Sequence, residues 1–192
     1  MTRSHPRRLR IVGTSGSGKS RLARQVAAAR GLPHLELDAV FWAEGWEYRD
    51  LDEAHALVRA FVEAHPDGWV IEGNWTSRLG GLLDPGTPDA ADAYVWLDHP
   101  RRVVMGRVIA RTVRRGVMRE ELWHGNRERP SSWFRWRPEK NIVRWAWTDH
   151  PVMRARMIER IDAGWPVIRL RGQKEVDAWL ASQSADGRSV EG

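Results

Sequence analysis

The chain is 192 residues long with a formal net charge of +6, and it has no cysteine. That length suits one domain with a sizeable core. The missing thiols exclude disulfides and thiolate metal sites, and no run of 18 apolar residues is present to span a membrane. Lys19, Lys140 and Lys174 are the only lysines, so 28 of the 31 basic residues are arginines, and 12 residues are tryptophan. Such a surface attracts polyanions, although arginine bias alone names no ligand.

The first ten residues, MTRSHPRRLR, are basic and lead into no signal-like apolar core, so a cytoplasmic protein is expected. LRIV then reads as a buried strand. It runs into GTSGSGKS, residues 13–20, which fits G-x-x-x-x-G-K-[ST] and is followed by the helix-forming SRLARQVAAAR. Strand, glycine loop and helix together specify a phosphate cradle. Gly13, Gly16 and Gly18 let the backbone of residues 13–20, with Thr14, Ser15 and Ser17, aim N–H groups inward. The helix N-terminus adds positive potential. Lys19 can reach the β- and γ-phosphates of a nucleoside triphosphate, and the Ser20 hydroxyl can bind Mg²⁺.

Further along, HLEL (34–37) predicts a second strand ending at Asp38, and LDEAHALVRAFVEAH a helix stopped by PDG at 66–68. WVIEG (69–73) and AYVWLD (93–98) predict strands three and four, separated by a loop rich in proline and glycine. Residues 101–119 predict a helix, 123–140 an irregular tryptophan-rich stretch, and 139–162 one long helix or two divided near Pro151. WPVIRLR predicts the fifth strand, QKEVDAWLASQ the last helix, and the tail from Ser184 is expected to be disordered. Alternating strands and helices predict an α/β domain with a parallel sheet covered on both faces. Ligands bind beyond the carboxyl ends of such strands.

Asp38, Glu72 and Asp98 fall near those ends. Asp38 can bind or orient an acceptor hydroxyl, or hold Mg²⁺ through water. Glu72 can hold the Mg²⁺ shell, and Gly73 would let a substrate approach the backbone. Asn74 and Arg78 are further candidates for the acceptor side. The 101–119 helix carries seven arginines and no acid; Arg107, Arg111, Arg114 and Arg115 share one face. Arginines so placed stabilise charge on a moving phosphoryl group, form a solvated basic face, or make a nucleic-acid stripe. Trp123, Trp133, Trp136, Trp145 and Trp147, interleaved with Arg127, Arg129, Arg135 and Arg137, could be a packed lid with cation–π contacts or a stacking platform for bases. His34, His99, His124 and His150 show no metal-ligand spacing.

The segments GTSGSGKSRLA, LPHLELDAVFWAEGW, WVIEGNW, YVWLDHPR and VIRLRGQKEVDAWL, with the arginine-rich helix at 106–115, resemble the topology modulation proteins, small P-loop NTPases related to adenylate kinase. The resemblance covers roughly residues 8 to 181. It implies an α/β P-loop NTPase fold like nucleoside monophosphate kinases and shikimate kinase: a three-layer sandwich with a five-stranded parallel sheet and an arginine-rich helical lid. The expected organisation is a single kinase-like domain over 1–183, with the lid at about 106–138 and a tail at 184–192. By the same resemblance, Gly13 to Ser20 hold ATP and Mg²⁺, and Asp38 meets the acceptor. Glu72 and Gly73 stand where adenylate kinases have Asp-Gly. Arg111 and Arg115 resemble lid arginines, and the loop at Arg171, Gly172 and Gln173 resembles the adenine contact. Adenylate kinases place an arginine four residues after that acid; here Arg78 is six residues after Glu72.

The leading expectation is therefore an ATP-dependent small-molecule kinase. Its catalytic residues would be Lys19, Asp38, Arg111 and Arg115; its acceptor residues Asp38, Glu72, Gly73, Asn74 and Arg78; and its Mg²⁺ residues Ser20 and Glu72. A nucleic-acid-associated ATPase or regulator is the less favoured alternative. The acceptor and the oligomeric state are left open.

Overall fold

The computed structural model describes residues 6–118, 121–126 and 142–186. Five strands form one parallel sheet in the order β2-β3-β1-β4-β5. They are β1 (Arg8–Val12), β2 (His34–Glu36), β3 (Trp69–Glu72), β4 (Ala93–Leu97) and β5 (Val167–Leu170). β3 and β4 are buried along their whole length, as central strands covered on both faces must be. One face packs on α1 (Lys19–Arg30) and α7 (Gln173–Asp186), through Leu22, Val26, Val70, Val95 and Val176. The other packs on α2 (Leu37–Phe41), α3 (Leu51–Ala64) and α6 (Ile142–Asp162), through Phe41, Val58, Ile71, Trp96 and Met157. The short α4 (Thr76–Leu79) and the long α5 (Arg101–Met118) complete the α-helices among the described residues.

Local chemistry explains most boundaries. Asp50 caps α3, accepting from Asp52 N at 3.0 Å and Glu53 N at 3.1 Å. β2 stops one residue short of expectation because Leu37 turns into the core and starts α2. α7 runs three residues past the expected end, to Asp186.

α6 passes through Pro151 as one helix. A proline leaves the carbonyl four residues earlier without its helical donor, and here that carbonyl, Trp147 O, accepts from the Arg101 guanidinium. Arg101 also lies over the Trp147 ring, 3.4 Å from its centroid. The arginine at the start of α5 thus replaces the lost bond and ties α5 to α6.

β1 carries a surprise. Arg10, within the apolar run LRIV, is 2% exposed. Burial lowers its guanidinium to a pKa of about 10, opposed by Tyr94 and Glu72.

Candidate active site

The glycine loop closes onto α5. Gly13, Gly16 and Gly18 all have positive φ. A Cβ on Gly16 would stand 2.4 Å from Val108 Cγ2 and 2.9 Å from Val104 O, so glycine alone permits this approach. Ser17 N donates to Thr14 O at 2.9 Å, tightening the loop, and Gly13 N donates to Asn74 Oδ1 at 3.3 Å, joining it to the end of β3. Gly18 caps α1 in the left-handed conformation, which puts Lys19 in the first turn. The first turn of α1 carries no acid of its own, so its positive end faces the loop.

Arginines of α5 reach this loop. Arg107 donates to Ser17 O at 3.2 Å and to Gln173 Oε1 at 2.8 Å. Arg111 donates to Ser15 Oγ at 2.8 Å. Arg115 follows one turn later, half-buried, while Arg114 is exposed. One arginine face therefore meets the phosphate cradle rather than open solvent. Gln173 opens α7, just after Gly172 with its φ of 95°. The loop from β5 to α7 thus lies beside the cradle. Arg171 is exposed, and with Gly172, Asp98, His99, Arg154 and Arg169 it lines a cavity of about 440 Å³.

At the carboxyl ends of β2 and β3 the charge is negative. Glu72 is 1% exposed, and neither of its oxygens has a full hydrogen bond among the described residues. Lys19 Nζ stands 3.9 Å from Glu72 Oε2. Burial pushes the Glu72 carboxyl above the ordinary glutamate range, opposed by Lys19 and the nearby Ser20 hydroxyl. Glu36 is the register partner of Glu72. It pairs with Arg24 at 3.2 Å and accepts from Trp123 Nε1 at 2.9 Å. His34 lies on the same face of β2, and ligand atoms of His34, Glu36 and Glu72 all lie within 4.8 Å of one another. No sequence spacing announced that cluster; strand register makes it. Asp149 of α6 was also missed. Partial burial raises its carboxyl, and Arg156 and Lys19 pull it back, so Lys19 interacts with both Glu72 and Asp149.

Asp38, in the first turn of α2, accepts from Trp75 Nε1 at 2.6 Å. Trp75 stacks on Phe41 with centroids 4.9 Å apart and meets Trp42 edge-on at 5.3 Å. Trp42 in turn stacks on Tyr48 at 4.7 Å. Arg78 lies over Tyr48 at 4.8 Å and donates to Arg49 O at 2.8 Å. Gly73, with φ 125°, leaves room for Leu37, to which a Cβ would come within 3.1 Å. The structure thus gathers Asp38, Glu72, Gly73 and Asn74 beside the cradle, while Arg78 stands among aromatic rings.

The described part of the segment after α5 docks on this side. Asn126, 5% exposed, accepts from Trp46 N at 3.0 Å and donates to Ala43 O at 2.8 Å. His124 bonds Ala39 O at 2.8 Å. Trp46 and His124 both hold positive φ without being glycine. Trp133, Trp136, Arg127, Arg129, Arg135 and Arg137 lie outside the described residues. Trp145 and Trp147 are exposed.

No protein-family profile matches the chain. Over 60 residues it is 45% identical to the cytidylate kinases of two strains of Nitratidesulfovibrio vulgaris, DP4 and Hildenborough. Each match covers 28% of this chain and 26% of the relative, so the chain spans about a quarter of the length of the curated relatives it matches. Among solved structures it is similar to a gluconokinase from Sinorhizobium meliloti 1021, at 21% identity and a TM-score of 0.49 over 96% of this chain and 97% of that one. It is also similar to a sugar kinase from Janibacter sp. HTCC2649, at 26% identity and a TM-score of 0.38 over 54% of this chain and 66% of that one. The α/β fold with its five-stranded parallel sheet and glycine loop is that of a P-loop protein.

Proposed function

We propose that this chain is an ATP- and Mg²⁺-dependent phosphotransferase that moves the γ-phosphate to a hydroxyl of a nucleotide or small metabolite, and that it belongs with the topology modulation proteins it resembles. One observation carries the reading. Arg107 and Arg111 converge on the same glycine loop that presents Lys19, with the buried, unsatisfied Glu72 carboxylate beside it. A buried carboxylate without hydrogen bonds is costly, and a cation with its water shell would satisfy it.

The residues fit the groups they would hold. Backbone N–H groups of residues 13–20 bind the phosphates. Ser20 and Glu72 would hold Mg²⁺, which neutralises charge between the β- and γ-phosphates. Lys19 and Arg111 take the charge of the transferred group, and Asp38 orients the acceptor hydroxyl and receives its proton. Arg107 and Gln173 mark the side where the base would lie. Phosphoryl transfer needs little beyond this positioning and electrostatic stabilisation. The inward direction of Arg107 and Arg111 supports this reading over a nucleic-acid stripe.

The test is Mg²⁺-dependent ATP turnover with and without acceptors, and with DNA as a separate addition. Lys19→Met should lower acceptor-dependent turnover by about 100-fold or more while circular dichroism stays unchanged. Normal turnover in that variant would sink the mechanism. Free phosphate released only with DNA would favour an ATPase.

A further inference from the structure

We propose that the phosphoryl acceptor is a polyhydroxy ring compound carrying no phosphate or carboxylate. The inference rests on the phosphotransferase reading and narrows its substrate.

The acceptor side is acidic. Glu36, Asp38 and Glu72 converge there from β2, α2 and β3. Arg24 pairs with Glu36 at 3.2 Å, Lys19 stands 3.9 Å from Glu72 without a hydrogen bond, and the partner of Asp38 is a neutral indole. Arg78 is the cation the sequence offers for an anionic acceptor. Its guanidinium lies against the Tyr48 and Phe41 rings, at 4.8 and 5.7 Å, and donates to Arg49 O, while its buried Nε has no hydrogen-bond partner among the described residues. Arg49 is committed too, to Val40 O at 2.7 Å and Glu53 at 2.6 Å. An anionic group placed here would face like charges, which costs several-fold in affinity at each close approach. Hydroxyls, in contrast, donate to carboxylates and lose nothing.

The second observation is aromatic. Trp42, Trp46, Tyr48 and Trp75 form one cluster next to Asp38. Tyr48 is 60% exposed and Trp46 37%. Trp46 is held at φ 61°, a costly conformation for a bulky residue, by its bond to Asn126. The backbone thus keeps an indole at the surface instead of letting it relax. Large aromatic faces cover the apolar C–H face of a ring while their edges stay wet. Carboxylates at one end and aromatic faces at the other match a ring with hydroxyls on its edge. In the transfer, the acceptor hydroxyl oxygen bonds to the γ-phosphorus as the bond to the β–γ bridging oxygen breaks. ADP leaves with that oxygen, and the hydroxyl proton passes to Asp38.

Two measurements separate this inference from the reading beneath it. Binding is followed by tryptophan fluorescence for myo-inositol, glucose, glucosamine, gluconate and CMP, each with a non-hydrolysable ATP analogue. Transfer is followed as ADP formation with a phosphorylated product. The expected result is saturable binding and transfer for a sugar or cyclitol without an anionic group, at least about 100-fold better in kcat/KM than gluconate or CMP. Trp46→Ala should raise the acceptor KM about tenfold and leave the ATP KM unchanged. Glucosamine outperforming glucose would keep the inference and add a cationic preference. Tighter binding of CMP or gluconate than of every non-anionic compound overturns it, and so does saturable binding of none of the non-anionic compounds. Binding of a polyol without any transfer would overturn the phosphotransferase reading itself, and with it the claim that the bound polyol is an acceptor.

Discussion

The two ends of the crevice are built on different principles. The phosphate side is made of backbone: three glycines with positive φ, a helix N-terminus, and two arginines that reach in from α5. The proposed acceptor side is made of side chains delivered by three separated segments, 34–49, 72–78 and 122–126. A backbone cradle tolerates few changes, because no side chain can substitute for a missing N–H. A side-chain wall can be rebuilt residue by residue, which is how one fold serves many acceptors.

The contrast is sharpest at glycine. Gly16→Ala would drive a methyl into Val108 and the Val104 carbonyl at an unfavourable φ of 85°. Strain of about 1–3 kcal/mol corresponds to roughly 5- to 150-fold weaker binding of an ATP analogue, measured by calorimetry. At Gly45 on the acceptor side a Cβ meets nothing within 4 Å, although φ is 75°. Gly45→Ala should therefore cost about 1 kcal/mol of stability and leave ATP-analogue affinity unchanged. Equal losses in the two variants would break the comparison.

That difference also explains what the sequence revealed. The cradle was legible because its chemistry lies in eight consecutive residues, and the five strands because they are short apolar runs between turns. The arginine face of α5 followed from a 3.6-residue period. Its contact with Ser15 and Ser17 did not, since 90 or more residues separate the partners. The His34–Glu36–Glu72 grouping depends on which strands are neighbours and in what register. Asp149 depends on how α6 crosses the site. Asn126 sits in a polar stretch with no period, and only folding shows that it bonds both Trp46 and Ala43. Arg10 was hidden for the opposite reason: an apolar run masked a buried charge.

Glu72 joins the two ends, and its charge can be separated from its shape. Burial raises its folded pKa above the ordinary value of 4.5. The protonated form is thus the one folding favours. Its contribution to stability is complete below about pH 4.5 and is lost as pH rises through the raised folded value. Above that raised value the ionised, buried carboxylate costs stability. Glu72→Gln removes it and should gain about 1–3 kcal/mol, or roughly 2–10 °C in Tm for a chain of this size. The gap in Tm between variant and parent should shrink as pH falls toward 4.5. Turnover should drop in the same variant, since the charge meant for the cation is gone. A lower Tm at pH 7 would mean that Lys19, 3.9 Å away, stabilises the carboxylate more than burial penalises it.

The smallest expected effect is the most informative about how the two ends communicate. Asn126 bonds the 43–46 loop through both ends of its amide, and it follows closely on the helix whose arginines touch the glycine loop. In the proposed mechanism, the segment that carries charge to the transferred phosphoryl is thereby fastened to the wall proposed to receive the acceptor. Asn126→Ala removes both bonds, including the one on Trp46 N, at a cost of about 1–2 kcal/mol. ATP affinity should stay level, because the cradle and α5 are intact. The acceptor KM should rise about tenfold, and a larger share of ADP formation should end as free phosphate, since a looser wall admits water. If the ATP KM rose in parallel instead, the two ends would be one cooperative unit. Asn126 would then stabilise that unit as a whole and would not position the acceptor.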